Sequence, residues 1–364
     1  MIHEFMWLSR LAAGALLCAC ASTIGFAQKP AKGDTKAEQS ATQAQQQEYA
    51  AVVHLADQVM SGQQAPSDFP IQFQNDFLRA QNGRVWVPVT LTLDPAKLPA
   101  SAVTLYMRVA PRGTTAPPPA APEKSDKSKK DKKNDKKNDK NTGPAASAYP
   151  YEDIALLDLK PAVPGQPVRI ARGLGVAPGS YDLYVVLRER GGAAGAAKAS
   201  VLKQPLDVPN YAEFATSSVI LADRVEQLTS PLPADQQSEH PYTFGTTEIF
   251  VSPEHKFRRS QELIVLLQIY NPSVSADKKF SLEASYTFFR QDAGGEKRFN
   301  STEPQALTPD STGVQFDPGA AAIQAGQAIP LQSFPEGNYR LEIKITDKLS
   351  TKVLTQNVSF SVAP

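Results

Sequence analysis

The sequence predicts an all-β chain of two consecutive sandwich domains, preceded by a signal peptide and one short helix. Three observations carry this expectation. From residue 69 onward, apolar and polar residues alternate through most of the chain, which is the period of a half-buried strand. The chain of 364 residues holds 30 Pro and 21 Gly, a content that breaks it into short elements joined by turns. A Gly-x-Tyr pattern occurs twice, at Gly179-Ser180-Tyr181 and Gly337-Asn338-Tyr339, about one domain length apart.

The elements follow in order. Residues 11–26 (LAAGALLCACASTIGF) carry no charge and follow a weakly positive start with Glu4 and Arg10. A bilayer-spanning helix wants roughly 20 apolar residues. This run is shorter and ends in small residues, the form of a secretory signal peptide. Cleavage after Gly25-Phe26-Ala27 would release Gln28, and cleavage after Ala19-Cys20-Ala21 would release Ser22. Leu17-Cys18-Ala19-Cys20 resembles a bacterial lipoprotein signal, which makes lipidation at Cys20 the alternative, although Cys at the second position is unusual for it. The expectation is a signal peptide over residues 1–27 and a periplasmic or secreted protein, or one lipid-anchored in the envelope. Residues 28–47 are mostly Ala, Lys, Gln, Thr and Ser without an apolar period and read as a flexible tether. Tyr49, Val52, Val53, Ala56, Val59 and Met60 then recur at helical spacing and Gly62 stops them, giving one short amphipathic helix over residues 48–62.

The first sandwich is expected over residues 69–209. In residues 85–93 (VWVPVTLTL), Val85, Val87, Val89, Leu91 and Leu93 share one face, and Pro88 suggests an edge strand. Val103, Leu105, Met107 and Val109 repeat the alternation. Residues 111–148 interrupt it with a Pro/Ala run and then EKSDKSKKDKKNDKKNDKN, which holds nine Lys, four Asp and one Glu. The net is +4 in a chain of net +1, so the remainder is mildly acidic and the basic character is local. Such a stretch buries nothing against its ordering entropy and reads as a disordered insert. Strand signals resume at residue 151, so the insert is a loop within the domain. Residues 168–170, 181–187 and 200–208 complete the set, with a Gly/Ala loop at 191–197. The second sandwich is expected over residues 210–364. Its strand signals lie at 219–221, 246–251, 262–270, 280–289, 296–299, 339–346 and 352–362. The strand at 262–270 is apolar on both faces and is placed centrally.

Glycine two residues before a tyrosine at the start of a penultimate strand is the pattern of a tyrosine corner, in which the hydroxyl bonds upstream backbone at a sheet crossover. Tyr181 and Tyr339 are assigned this structural role, which makes both sandwiches Ig-like. The Tyr181 strand, Gln204-Pro205-Leu206-Asp207-Val208-Pro209 and Ser217-Ser218-Val219-Ile220-Leu221 resemble the β-sandwich tails of secreted bacterial proteins of acidobacterial type. Those tails are often attached to von Willebrand factor A-related domains. The resemblance covers residues 168–221 and, through the repeat, 331–362. It implies an exported binding or structural module. The Asp-x-Ser-x-Ser metal run of a von Willebrand A domain is absent from the sequence, so metal-dependent adhesion is not implied.

Little points to catalysis. Both Cys, Cys18 and Cys20, lie in the leader, which excludes a disulfide scaffold, a Cys-ligated zinc protein and a thiol enzyme. After the leader the histidines are His54, His240 and His255, none in a metal or protease spacing. No Gly-x-Ser-x-Gly elbow occurs. Asp310-Ser311-Thr312-Gly313 misses the aspartic-protease pattern by one residue and reads as a turn. The Gly191 loop fails the phosphate-loop spacing and reads as a hairpin connection. The Lys-rich insert lacks the aromatics and Arg that nucleic-acid binding uses. No catalytic, cofactor or metal residue is therefore assigned. The expected function is a non-enzymatic binding or structural protein of the bacterial cell envelope, acting through loops or sheet edges on an envelope protein or polysaccharide. Nucleic acid is not an expected partner, and a membrane is one only through Cys20. The alternative is a carbohydrate-active hydrolase or its sugar-binding accessory module. A deep cavity gathering His240 or His255 with several acids would count against pure binding.

Overall fold

The computed structural model describes residues 35–98, 101–114, 149–159, 166–190, 197–314 and 322–364. The segment expected to be a signal peptide, with Cys20, residues 28–34, most of the Lys-rich insert and residues 191–196 lie outside the described residues.

Helix α1 (Thr35–Met60) opens the described chain. It starts well before the periodic stretch, so residues 35–47 are helix and not tether. Ala, Glu, Lys and Gln dominate this extension, and these residues favour helix even without an apolar face. A turn already nucleated by packing downstream propagates through them at little cost. Val52, Ala56, Val59 and Met60 bury against Tyr106, Tyr184, Val186 and Val201, and Gly62 at φ +94° ends the helix.

The first half of the chain gives β1 (Gln72–Asn75), β2 (Leu78–Arg79), β3 (Val85–Leu93), β4 (Ala102–Pro111), β5 (Tyr151–Asp158), β6 (Val168–Val176), β7 (Gly179–Glu189) and β8 (Ala199–Val208). One sheet has β3 between β6 and the short pair β1 and β2; the other runs β5-β4-β7-β8. Their facing sides hold one core, including Val87, Val89, Leu91, Leu105, Met107, Leu174, Val185 and Leu206. Helix α1 covers the outer face of the β5-β4-β7-β8 sheet. The insert joins β4 to β5, which pair antiparallel with Val109 opposite Tyr151. The segment therefore connects neighbouring strands of one sheet.

Pro88 corrects an expectation. β3 is an interior strand, paired on both sides. Proline is tolerated because it sits where β1 stops, at Asn75 opposite Val89, and before β2 begins, at Leu78 opposite Trp86. The Pro88 carbonyl accepts from the Asp76 N–H across that gap, so the missing proline donor faces a break in the ladder.

The second half gives β9 (Ala215–Thr216), β10 (Ile220–Gln227), β11 (Thr243–Phe244), β12 (Thr247–Val251), β13 (Lys256–Arg258), β14 (Glu262–Tyr270), β15 (Leu282–Asp292), β16 (Gly295–Ser301), β17 (Gln305–Leu307), the single turn α2 (Pro309–Thr312), β18 (Ile323–Pro330), β19 (Gly337–Asp347) and β20 (Val353–Ala363). One sheet runs β11-β12-β10-β14-β18 and the other β13-β20-β19-β15-β16. Between them lies a second core, with Leu263, Val265, Leu267, Tyr286, Phe288, Leu341 and Ile343.

The two halves repeat in their pairing as well as in sequence. β3 pairs β6 as β14 pairs β18, β4 pairs β5 and β7 as β15 pairs β16 and β19, and β7 pairs β8 as β19 pairs β20. Even the split neighbour recurs: β1 and β2 flank β3 as β9 and β10 flank β14. Tyr181 lies opposite Leu206, and Tyr339 opposite Phe360. The preceding Gly179 and Gly337 both adopt positive φ, +155° and +145°, where a side chain is strained. The Tyr339 hydroxyl donates to the Pro335 carbonyl at 2.6 Å. Tyr181 instead lays its ring against Gly179, so close that a Cβ there would lie 3.1 Å from its hydroxyl.

Candidate functional site: the cleft between the sandwiches

The sandwiches meet through outward faces that alternation alone would assign to solvent. Leu78 and Trp86 from the first half pack with Ile220, Ala222, Tyr242, Ile249, Ile264 and Leu266 from the second. The Trp86 indole lies over Gly173, where a Cβ would come within 2.0 Å of the ring, and its N–H donates to the Pro241 carbonyl at 2.8 Å. Hydrogen bonds fix the joint further. The Phe77 N–H donates to the Ser218 hydroxyl at 2.9 Å, the Tyr211 hydroxyl to the Phe77 carbonyl at 3.0 Å, and the Arg79 guanidinium to Asn271 Oδ1 at 2.9 Å.

One buried carboxyl sits in this joint. Asp76 is 6 % exposed and accepts from the Tyr242 hydroxyl at 2.7 Å. Burial raises its pKa to about 6, outweighing the Tyr242 and Ser218 hydrogen bonds that favour the charged form. The same burial and the neighbouring Asp76 push the Tyr242 hydroxyl well above its ordinary range. A second buried charge pins the helix. Arg108 is 3 % exposed, bridges Glu152 at 3.0 Å and also Asp57 of α1, and lies over the Tyr149 ring at 4.1 Å.

Beside the joint, β3 and β6 on one side and β10 and β12 on the other leave a cleft of about 640 Å³. It is lined by Thr90, Ala171, Tyr242 and Phe250 and by the polar side chains of Arg169, Arg224, Asp223, Glu239, His240 and Glu248. The charges are mostly paired: Arg169 with Glu254 at 2.8 Å, Arg172 with Glu239 at 3.4 Å and Arg224 with Glu226 at 3.2 Å; the His240 ring lies 2.7 Å from Glu248. The Arg224 guanidinium also lies 3.9 Å over the Phe250 ring, forming a planar platform with hydrogen-bond donors at its edge. The cleft thus offers donors, acceptors and one aromatic face with little net charge. It is open, since Arg224 and Glu239 side chains are each 58 % exposed.

The structure does bring His240 together with Glu239, Glu248 and Asp223, the gathering that would count against pure binding. It does so at an open mouth, with His240 itself 44 % exposed. His255 lies elsewhere, at positive φ, with Gln74 Nε2 at 3.2 Å and Nδ1 3.0 Å from the Ser359 carbonyl. Burial lowers its pKa, against the Ser359 carbonyl and Glu254. With Gln74 donating to Nε2, the Nδ1–H tautomer satisfies both contacts. His54 is exposed on α1. The near-miss at 310–313 falls in α2 and its left-handed Gly313 cap, a turn. Phe280, Tyr286 and Phe288 are core residues, whereas Phe289 faces out under Arg340 at 4.2 Å. Among the described residues no group of His, Cys, Asp and Glu is arranged to hold a metal ion. Sequence reasoning missed the cleft, Asp76 and Arg108. For Arg108 and Asp76 the only local signal is a charge inside an otherwise apolar strand or between Phe73 and Phe77.

No family model and no curated protein matches the sequence. Among solved structures, the chain is similar to Bacteroides uniformis beta-glucuronidase 2 covalently bound to cyclophellitol-6-carboxylate aziridine. The identity is 9 % and the TM-score 0.23 over 80 % of this chain and 32 % of that one. A calcium-binding mutant of the same enzyme gives 10 % identity and a TM-score of 0.24 over 80 % and 33 %. The chain spans about a third of the length of those enzymes. At that level of similarity nothing about activity transfers.

Proposed function

We propose that the chain is an exported, non-enzymatic binding module of the bacterial cell envelope, and that its ligand lies in the cleft between the sandwiches. The observation that carries this is the Arg224–Phe250 platform set among paired charges at the joint of two sandwiches. A planar platform with balanced donors and acceptors suits an uncharged, hydroxyl-rich chain, so an envelope polysaccharide is the favoured ligand over an envelope protein. Placement at the joint gives the site rigid walls from both halves, which lowers the ordering cost of binding.

Oligosaccharides released from bacterial envelope polysaccharide, titrated calorimetrically, test the proposal. Binding that weakens at least tenfold in Arg224→Ala and in Phe250→Ala supports it. Binding that both variants leave unchanged moves the ligand elsewhere. Release of new reducing ends during the titration overturns the non-enzymatic part and favours a hydrolase using the carboxylates of the same cleft.

A further inference from the structure

Among the described residues four large apolar side chains stand exposed: Leu156, Val274, Leu349 and Val353. Single ones scattered over a surface are ordinary, whereas a cluster carries meaning. Three of these four gather at one end of the second sandwich. Val274 lies in the turn between β14 and β15, Leu349 in the turn between β19 and β20, and Val353 begins β20.

Asp347 ties the two turns together. It is fully buried, and its carboxylate accepts from the Ser273 N–H at 2.9 Å, the Leu349 N–H at 2.9 Å and the Ser350 hydroxyl at 2.7 Å. The Lys348 N–H donates across to the Ser281 carbonyl at 2.9 Å. Each turn is also closed on itself, by the Ser275 N–H on the Lys279 carbonyl and the Thr351 N–H on the Asp347 carbonyl. Lys278 and Thr351 are held at φ +58° and +62°, the left-handed region that few residues other than glycine adopt. The polar groups of this end are thus bonded to each other, and its apolar side chains are left outside.

Lysines surround those apolar side chains. Lys348 and Lys352 flank Leu349 and Val353 in the chain, and Lys278 and Lys279 close the other turn. Lys348 pairs with Glu283 at 2.8 Å, whereas Lys278, Lys279 and Lys352 form no salt bridge among the described residues. The acids of the two turns are already engaged: Asp347 by the bonds above, Asp277 by the Ser275 hydroxyl at 2.7 Å.

We propose that this end of the second sandwich docks on an anionic lipid surface, with Val274, Leu349 and Val353 entering the headgroup region and the lysines meeting the lipid phosphates. Charge complementarity points to an anionic partner, and the shape of the end points to a bilayer. A stable protein interface takes about 800 Å² of fitted surface from each partner, and three side chains on two turn tips supply a fraction of that. A bilayer needs no fitted shape: binding grows with the apolar area immersed and with the attraction of each Lys to anionic lipid. The hydrogen-bonded turns hold the side chains in place beforehand, which keeps the ordering cost small. None of these residues lines the cleft, and the contact needs no lipid on Cys20.

Vesicle flotation tests this, on the chain from Gln28 onward. That chain keeps every packed element described above and lacks Cys18 and Cys20. Wild type should bind vesicles of phosphatidylcholine and phosphatidylglycerol in equal parts, and should be released as salt is raised. Leu349→Ser with Val353→Ser should weaken binding at least tenfold, and so should Lys278→Gln with Lys279→Gln and Lys352→Gln. All these positions are exposed, so thermal unfolding should match wild type. In Leu349→Trp, brominated acyl chains should quench emission that they leave untouched in wild type. A wild type that ignores anionic vesicles overturns the proposal. Binding that survives both sets of changes belongs to another basic segment and also overturns it. Loss with the lysine changes alone, without quenching in Leu349→Trp, overturns the entry of the apolar side chains. Dimerisation of wild type without vesicles, abolished by Leu349→Ser with Val353→Ser, assigns this end to a second copy instead. No saccharide takes part, so this proposal and that for the cleft fail separately.

Discussion

Asp76 makes stability depend on pH in a direction opposite to that of a salt-bridged carboxylate. Its pKa rises from the ordinary 3.8 to about 6 because the joint removes it from water. The folded protein therefore holds a proton that the unfolded chain has released between about pH 4 and pH 6. The stabilisation is complete below pH 4 and is lost as pH rises through 6. The rise from 3.8 to about 6 corresponds to about 3 kcal/mol. Asp76→Asn keeps an oxygen acceptor for the Tyr242 hydroxyl and never ionises. Urea unfolding of both proteins should show the variant gaining on wild type by about 2–3 kcal/mol between pH 4 and pH 8, most of it between pH 4 and pH 6. Parallel pH profiles would refute the reasoning, because they would mean that Asp76 has the same proton affinity folded and unfolded.

Other outcomes follow from the same geometry. Arg108→Ala leaves Glu152 and Asp57, both in reach of water, without their shared cation and should cost about 1–3 kcal/mol. Amide exchange should show α1 opening while β3 and β14 stay protected. Gly173→Ala drives a methyl into the Trp86 ring and should cost about 1–3 kcal/mol, read by thermal unfolding. Tyr339→Phe loses the hydroxyl bond to Pro335 and should cost about 1 kcal/mol, whereas Tyr181→Phe should change stability by less than about 0.5 kcal/mol.

What the sequence made legible was periodicity. The strand expected at 262–270 is β14 to the residue, because its apolar residues serve a core on one face and the sandwich joint on the other. The doubled Gly-x-Tyr foretold a repeat that the pairing order extends to whole halves. What stayed hidden depends on contacts distant in the chain. Pro88 looked like an edge because a gap between β1 and β2 cannot be read from residues 85–93. The helix looked shorter because an apolar period marks what packs and not what is helical. β18 went unseen because Gln, Ala and Gly have weak strand propensity, and its strand state comes from pairing with β14. The cleft could not be read at all: its walls come from residues 90, 169–171 and 223–261, which only the joint assembles.

The chain has two tryptophans, Trp7, which lies outside the described residues, and Trp86 in the joint. The indole of Trp86 is stacked on a bare glycine and bonded to a carbonyl from the opposite half. Its emission therefore registers whether the halves are together, not merely whether either is folded. Prising them apart while each retains its own interior would redden the fluorescence and leave the far-ultraviolet dichroism of the strands in place.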